Sequence, residues 1–284
     1  MLASLKDVLS DARAGGYAVP AFDVVEDVIV RTILDTCERL RSPVVLMGLI
    51  GPDLTGRGWD YVPGLIRAVA DRYDIPVVLH LDHATDLVSI ERAVELGFTS
   101  VMLDGSALPF EENVAITRRA ADLAHPADVS LEGELGCVGG SDLEATRRID
   151  SVLTEPDQVE AFVKQTGVDA LAVSIGTSHG VYTSLPNLNI ERLRELNAVS
   201  KVPLVLHGGS GTPEDQVRNA VRNGICKMNI YADCRIAILK GLRESAAAAK
   251  RPDPTLQDMF NPIRNRLAEV VEQKVRLLFA DGKA

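Results

Sequence analysis

The sequence has few cysteines, no long hydrophobic run and a shortage of positive charge. Its four cysteines form no Cys-x-x-Cys pair and suggest no disulfide framework, so we expect reduced thiols. Acidic residues outnumber basic ones by 40 to 30, and the net charge of −10 argues against binding to nucleic acid or to an anionic membrane. The longest apolar stretch, Pro43 to Gly51, is too short to span a bilayer. Because residues 1–13 also lack the apolar core of an export signal, we predict a soluble cytoplasmic protein.

Short runs rich in Val, Ile and Leu alternate with longer amphipathic segments along nearly the whole chain. The pattern predicts strands at about 17–22, 43–47, 76–80, 100–103, 129–135, 170–175, 203–207 and 226–230. Helices are predicted between them, followed by one helical region from near Asp233 and a last helix over about 263–279. Eight such units in 284 residues favour an α/β fold, a closed (β/α)8 TIM barrel. We predict one domain over 1–284 with an extra C-terminal helix, and a doubly wound open sheet is the alternative.

Polar and titratable side chains cluster at or near the carboxyl ends of the third to eighth predicted strands. Four of the five histidines belong to this cluster. In barrel enzymes that end carries the active site, which is built from the loops after the strands. The clustering therefore favours an enzyme or a metal site. The residues are His80, Asp82, His83, Asp104, Glu132, Glu134, His179, His207 and Asn229.

Three histidines follow apolar strands in a pattern that suits a metal ion. The third strand ends in His80-Leu-Asp82-His83, and alternation places His80 and Asp82 on one face while His83 turns into the loop. His179 and His207 each follow an apolar strand and precede a glycine. With His83 they supply three imidazoles, the usual protein ligands of a catalytic zinc that keeps a fourth position open. The alternative for each histidine alone is a hydrogen-bonded core residue.

Gly-rich or polar turns follow the seventh and eighth strands, where barrels commonly bind phosphate through backbone N–H groups and a helix dipole. The first turn is His207-Gly-Gly-Ser-Gly211, and the second is Asn229-Ile-Tyr-Ala-Asp233. Glycine lets the backbone approach an anion closely because no Cβ intervenes. The two turns predict a phosphate site, and the alternative for Asp233 is a helix N-terminal cap.

Carboxylates and one lysine complete the candidates. Glu132 and Glu134 share one face of the fifth strand, where buried carboxylates need a metal, an arginine or a substrate hydroxyl as partner. Asp142 and Glu144 follow in a Gly-rich stretch that predicts a loop, and we interpret one of them as able to reach the site or both as solvated charges. Lys227 points into the barrel by strand parity, which opens a Schiff-base chemistry. Its alternative is a structural ion pair with one of the two glutamates.

Taken in order, HLDHA, MLDGS, LEGELG, GTSHG, LHGGSG and NIYAD resemble the motifs of the class II, metal-dependent ketose-bisphosphate aldolases, and most of all those of the tagatose-bisphosphate branch. The similarity in spacing runs from about residue 1 to 280. It implies a (β/α)8 barrel in which His83, His179 and His207 hold zinc and Asp82 is the catalytic acid or base.

The same resemblance implies the substrate ligands and the partners. Asp104 and Glu134 match residues that form an alternative or second metal position in some members. The substrate implied is a small phosphorylated sugar, with a monovalent cation near its phosphate, and the implied assembly is a homodimer or a homotetramer. The matching phosphate and cation contacts are Gly180, Gly208, Gly209, Ser210 and Asn229.

Two residues depart from the family pattern after the eighth strand. Relatives usually have Thr at the position of Ala232 and often Asp at Tyr231, so one hydroxyl is lost and the substrate face differs; with Asp233 these residues complete the predicted substrate-binding set. We predict a zinc-dependent aldolase that cleaves a ketose 1-phosphate or bisphosphate to dihydroxyacetone phosphate and an aldehyde. The alternatives are a Schiff-base aldolase that uses Lys227 and a non-catalytic accessory barrel subunit.

Overall fold

The computed structural model describes residues 2–51, 53–140, 151–180 and 185–284. Eight parallel strands close into a barrel in the order β1-β8-β7-β6-β5-β4-β3-β2, and the pairing of Val19 with Lys227 joins the first strand to the last. The predicted TIM barrel is therefore confirmed, and the open-sheet alternative is wrong. The strands are β1 (Val19–Asp23), β2 (Val44–Leu49), β3 (Val77–Ala84), β4 (Ser100–Leu103), β5 (Ser130–Leu135), β6 (Ala170–Val173), β7 (Leu204–Leu206) and β8 (Ile225–Ile230).

A helix follows every barrel strand, as the alternation of apolar runs and amphipathic segments predicts. Short 3₁₀ turns extend the third and fifth helices at Ala70–Arg72 and His125–Ala127. None of the described helices is both long and apolar enough to cross a membrane. The helices are α1 (Leu5–Gly15), α2 (Asp27–Leu40), α3 (Gly58–Val69), α4 (Leu87–Glu95), α5 (Phe110–Ala124), α6 (Pro156–Thr166), α7 (Ile190–Val199), α8 (Glu214–Arg222), α9 (Ala232–Ala248) and α10 (Leu256–Leu277).

The first helix, α1, lies outside the predicted set. The hydroxyl of Ser4 caps it by accepting the N–H of Asp7 at 3.1 Å, and it ends at Gly16 in the left-handed region with a φ of 66°. Its buried face packs at the amino end of the barrel, where the N–H of Lys6 donates to the hydroxyl of Ser130. That end is opposite to the catalytic end of the fold, so α1 closes the bottom of the barrel.

The last helix begins earlier than predicted. Helix α10 starts at Leu256, behind a capping box in which Thr255 and Asp258 exchange side-chain and backbone hydrogen bonds. The predicted start, near residue 263, lies just after Pro262, because a proline normally disrupts a helix. Here Pro262 lies within the helix, and the hydroxyl of Ser245 on α9 donates to the carbonyl of Asp258 that the proline leaves unpaired.

Candidate active site

The end of β3 carries two adjacent site residues on one side of the strand. Strict alternation would send neighbouring side chains to opposite faces. The pairing of β3 with β4 shifts register between Leu81 and Ala84, and His83 adopts a φ of 50°. This bulge extends the strand beyond the predicted loop boundary and lets both Asp82 and His83 enter the site. The Nε2 atom of His83 lies 3.9 Å from a carboxylate oxygen of Asp82.

Three imidazoles meet above the barrel, from the ends of β3 and β7 and from the segment after β6. The ring centroid of His83 lies 5.2 Å from that of His179 and 4.7 Å from that of His207. A two-residue parallel pairing of Ser178–His179 with Gly139–Gly140 positions the second of these rings. One nitrogen from each ring lies within 4.8 Å of the others. The structure thus brings together the three predicted metal ligands.

One ring nitrogen of His83 faces one ring nitrogen of His207. The Nδ1 atom of His83 lies 3.0 Å from Asp104, and the Nε2 atom of His207 lies 2.9 Å from Glu132, so each ring carries its proton toward a carboxylate. The remaining atoms, Nε2 of His83 and Nδ1 of His207, are 3.0 Å apart. Two acceptors at this distance require a cation between them, either a proton or a metal ion.

A zinc ion fits this arrangement. Two imidazole nitrogens that each lie about 2.0–2.1 Å from a tetrahedral zinc are roughly 3.3 Å apart, close to the separation of His83 and His207. Burial lowers the pKa of His207 and lowers that of His179 well below its usual range, so both rings stay neutral as metal ligands must. Burial also opposes a charge on His83, but Asp82 and then Asp104 raise its pKa well above the usual range. The site therefore attracts one positive charge.

A second group of possible ligands lies beside the first. His83, Asp104 and Glu134 also bring one ligand atom each within 4.8 Å of one another. One oxygen of Glu134 accepts the N–H of Val138 at 3.3 Å, and the other is buried with no hydrogen-bond partner in the described part of the chain. Burial, and then the charge of Asp104, raises the pKa of Glu134 well above its usual range. A cation bound here would give the second oxygen of Glu134 a partner and would offset the repulsion between Glu134 and Asp104.

Beneath the imidazoles, Glu132 joins Lys227 to His207. One oxygen of Glu132 accepts from the Lys227 ammonium at 2.9 Å, the other faces His207, and all three side chains are fully buried. Burial opposes ionisation of Glu132, but Lys227 and then His207 lower its pKa to about 2. An ion-paired ammonium is not the free amine that attacks a carbonyl. This contact favours the structural interpretation of Lys227 over the Schiff base.

Asp82 is held as an ionised carboxylate next to the imidazoles. The amide nitrogen of Asn229 donates to both carboxylate oxygens, at 3.2 and 3.3 Å, and the Nε2 atom of His80 lies 3.7 Å away. Burial alone would raise the pKa of Asp82, but His83, then His80 and the more distant positive groups, lower it well below the usual range. A buried, ionised and positioned carboxylate is suited to accept a proton from a substrate hydroxyl.

The turns after β7 and β8 lie side by side, and glycine is required at the first of them. A Cβ on Gly208 would lie 2.5 Å from the carbonyl oxygen of Ser178, and one on Gly209 would lie 2.5 Å from the side chain of Met228. Gly208 also adopts a φ of 67°. The Gly-rich turn therefore packs tightly between the segment after β6 and β8, which brings its backbone next to the imidazoles.

A lysine that the sequence analysis did not select fixes the two turns to each other. Lys274 of α10 is buried and its ammonium lies 2.6 Å from Asp233, whose same oxygen accepts the N–H of Gly211 at 3.3 Å. The hydroxyl of Ser210 accepts the N–H groups of Tyr231 and Asp233, so Ser210 caps α9. A helix cap was the predicted alternative role for Asp233. Ser210 makes that cap instead, and Asp233 links Lys274 to the backbone of Gly211.

The chain matches a family model described as fructose-bisphosphate aldolase class-II over residues 3–283. The chain belongs to this family. It is 33% identical to the YdjI aldolase from Escherichia coli K12, with 100% of each chain covered and a TM-score of 0.88. It is 28% identical to a putative fructose-1,6-biphosphate aldolase from Coccidioides immitis, over 98% of this chain and 97% of the other, with a TM-score of 0.86. It is 25% identical to the Fba fructose-bisphosphate aldolase from Campylobacter jejuni, over 100% and 97%, with a TM-score of 0.84.

Family membership makes the chain an enzyme of the aldehyde-lyase class and agrees with the predicted resemblance. The three imidazoles and the carboxylate of Asp82 meet in space as the motif order predicts. Asp142 and Glu144 lie outside the described residues. Gly180 follows His179 directly with a φ of 91°, and Ala232 is buried as the first residue of α9.

Two site features carry no clear sequence signal. Lys274 sits among alternating charged and apolar residues of an ordinary amphipathic helix, and only the fold brings it to Asp233. Asp53, after β2, belongs to no motif, yet it lies close enough to Asp82 to feel the charge of that carboxylate. Burial first and then Asp82 raise the pKa of Asp53 to about 6.

Proposed function

We propose that the protein is a zinc-dependent aldolase that reversibly cleaves a ketose 1-phosphate to dihydroxyacetone phosphate and an aldehyde. The observation that carries this proposal is the meeting of His83, His179 and His207, whose ligand nitrogens lie within 4.8 Å of one another, beside the carboxylate of Asp82. It supports a cation ligated by imidazoles next to a fixed proton acceptor.

His83, His179 and His207 would hold the zinc ion, and Asp104 and Glu134 with His83 would form its alternative position. A bound zinc ion supplies Lewis-acid polarisation of the substrate oxygens next to the bond that breaks. The protein contributes the orientation of the rings, since Asp104 and Glu132 fix the tautomers of His83 and His207.

Asp82 would accept the proton of the C4 hydroxyl as the C3–C4 bond breaks. The oxygen at C4 becomes the carbonyl of the aldehyde product, and the electron pair of the bond passes to the three-carbon phosphate half. That half takes a proton at C3 to give dihydroxyacetone phosphate. Asn229 keeps Asp82 in place through the bonds to both carboxylate oxygens. Synthesis is the reverse, with Asp82 returning the proton.

The backbone of Gly208 and Gly209 and the segment around Gly180 would receive the C1 phosphate. The turn they form is adjacent to the imidazoles and is braced by Asp233 and Lys274. Ser210 already accepts two backbone N–H groups, so its hydroxyl proton remains the group it can donate to an anion. In this proposal Asn229 and Tyr231 also contact the substrate, whereas Ala232 has no hydroxyl to donate to the phosphate.

The group that protonates C3, the monovalent cation, the homodimer or homotetramer and the cytoplasmic location remain predictions of the sequence. The accessory-subunit alternative predicts no turnover by the chain alone, whereas an intact Asp82 and three imidazoles support catalysis.

The test is a substrate screen with purified, zinc-loaded protein and no added partner. Ketose 1-phosphates, ketose 1,6-bisphosphates and unphosphorylated ketoses are compared by the dihydroxyacetone phosphate or dihydroxyacetone that they release. We expect cleavage of phosphorylated ketoses and little cleavage of the unphosphorylated ones. Equal rates with unphosphorylated ketoses would refute the phosphate site, and no turnover without a partner protein would favour the accessory subunit.

A further inference from the structure

A cavity of about 310 Å³ opens at the carboxyl ends of β1, β2 and β8, beside the catalytic residues. We call it the tail cavity. Its lining combines four polar residues, Asp23, Asp53, Tyr231 and Arg235, with apolar side chains from residues 24–29 and from α9. None of its lining residues belongs to the metal ligands or to the Gly-rich turn after β7.

The tail cavity is next to the carboxylate that acts at C4. Tyr231 is two residues from Asn229, the residue that holds Asp82. Asp53 follows β2, in which Leu49 pairs with Asp82, and the Asp82 charge affects the ionisation of Asp53. The phosphate turn lies on the opposite side of β8, after β7. A ketose whose phosphate binds that turn and whose C4 hydroxyl meets Asp82 therefore continues toward the tail cavity.

The charges in this cavity oppose a second phosphate. Its charged lining groups among the described residues are two carboxylates, Asp23 and Asp53, and one guanidinium, Arg235. The guanidinium lies over the ring of Tyr231, 5.0 Å from its centroid. With Asp82 close by, a phosphate dianion would meet an excess of like charge at short range. Carboxylates instead accept hydrogen bonds from hydroxyl groups.

The apolar part of the lining leads to the same conclusion. Val25 and Ile29, before and within α2, line the cavity together with Leu239 and Leu242 of α9. Apolar side chains offer no hydrogen bonds, so an anion that contacts them gives up part of its hydration without compensation. A neutral chain of carbons with hydroxyl groups can direct its hydroxyl groups to the carboxylates and its carbon skeleton to the apolar residues.

We propose that the tail cavity binds the carbons of the ketose beyond C4, and that these carbons carry hydroxyl groups and no second phosphate. The protein then acts on ketose monophosphates with an uncharged polyhydroxylated tail, and its aldehyde substrate is a neutral hydroxyaldehyde. This inference rests on the proposed aldolase function and names its substrate class. Asp53 and Asp23 are the specificity-determining residues.

The experiment is an aldehyde competition in the direction of synthesis. Zinc-loaded protein receives dihydroxyacetone phosphate with glyceraldehyde or with glyceraldehyde 3-phosphate, and the ratio of the two kcat/KM values is measured. We expect glyceraldehyde to be preferred by about tenfold or more, and Asp53→Asn to reduce this ratio by roughly three- to tenfold because it removes one repelling charge. The matched control is Glu91→Gln, which removes an exposed charge on α4 outside the cavity lining and should leave the ratio unchanged.

A binding measurement separates this inference from the proposed function. Calorimetric titration of the Asp82→Asn protein, with and without Asp53→Asn, compares a ketohexose 1-phosphate with its 1,6-bisphosphate. Tighter binding of the monophosphate, with the difference reduced by Asp53→Asn, supports the tail cavity even if the wild-type protein condenses neither aldehyde, a result that would refute only the aldolase function. A preference for the bisphosphate or for glyceraldehyde 3-phosphate would overturn the inference, as would a ratio insensitive to both Asp53→Asn and Asp23→Asn.

Discussion

The Nε2 atom of His83 and the Nδ1 atom of His207 lie 3.0 Å apart, and the other ring nitrogen of each histidine faces a carboxylate, Asp104 for His83 and Glu132 for His207. This relationship orients two metal ligands before any metal binds. It also explains why the site attracts a cation more strongly than three surface histidines would, since the rings need no rearrangement and lose little rotational freedom on binding.

Removal of one imidazole should remove the metal. His207→Ala leaves two of the three rings, so we expect bound zinc to fall well below one equivalent and aldol cleavage to be nearly abolished. The measurement is zinc content after gel filtration, alongside cleavage rate. The control is His125→Ala, which removes an exposed histidine bonded to Asp169 away from the site. Full zinc occupancy with normal turnover in His207→Ala would show that the ligand assignment is wrong.

Asp82→Asn should keep zinc and lose cleavage. The amide has nearly the same shape but cannot accept the C4 proton, and such groups contribute about 10²- to 10⁴-fold to rate. We expect a fall in kcat of that size, with the zinc content of the wild type. An unchanged cleavage rate would mean that Asp82 only orients its neighbours His80 and Asn229.

Glu132→Gln should weaken metal binding although it replaces none of the metal ligands. The substitution disturbs the proton position on His207 and leaves the Lys227 ammonium buried without its counterion. Changes in such supporting residues typically reduce metal affinity by about 10- to 100-fold, which a competition titration against a chelator measures. Breaking a buried ion pair also destabilises the fold by about 3–5 kcal/mol.

The double variant Glu132→Gln/Lys227→Met separates these two effects. It removes the unpaired charge, so thermal unfolding should recover most of the lost stability while the metal affinity stays low. If both properties recover together, Glu132 acts only by neutralising Lys227 and has no separate role in orienting His207.

Lys274 should affect substrate binding through the phosphate turn. Lys274→Met leaves Asp233 without its ammonium, so the N–H of Gly211 loses a fixed acceptor and the turn loses its brace. We expect KM for a ketose 1-phosphate to rise about tenfold, in line with a charged hydrogen bond, with kcat nearly unchanged. Lys274→Arg should restore much of the lost affinity. A fall in kcat with unchanged KM would contradict this positioning role.

Asp53 gives a pH dependence of stability. Its pKa is raised to about 6 by burial and by Asp82, above the value of about 3.8–3.9 in the unfolded chain. Between these values the folded state binds more protons, so this group's contribution to stability falls as pH rises toward and past 6. Asp53→Asn, whose carbonyl still accepts the N–H of Leu49, should stabilise the protein by about 1–2 kcal/mol at pH 8. Denaturant unfolding should show no gain at pH 4, and an equal gain at both pH values would contradict the assignment.

Much of the fold and of the site could be predicted from the sequence, for identifiable reasons. Parallel strands buried on both faces produce continuous apolar runs, so the number of barrel strands and most of their bounds follow from the hydrophobic pattern. Because the carboxyl ends of parallel strands meet at one rim, residues as distant as His83 and His207 were expected to come together. Family motifs supported the same set.

The remainder depends on tertiary contacts that no local pattern encodes. The bulge at His83 reverses the expected alternation, and its φ of 50° is an unusual conformation for a histidine. Lys274 reaches Asp233 only because α10 packs back over the barrel end. Helix α1 is the exception, because Ser4 and the spacing of its buried residues carry the usual helix signals in the sequence itself.

The most direct test of the account is the metal dependence of cleavage by the purified chain. Protein is stripped with a chelator, assayed for dihydroxyacetone phosphate release from a ketose 1-phosphate, and titrated with zinc. The account predicts loss of activity on stripping and its return with about one equivalent of zinc per chain. Undiminished cleavage by the stripped protein, with borohydride trapping the substrate on Lys227, would contradict it.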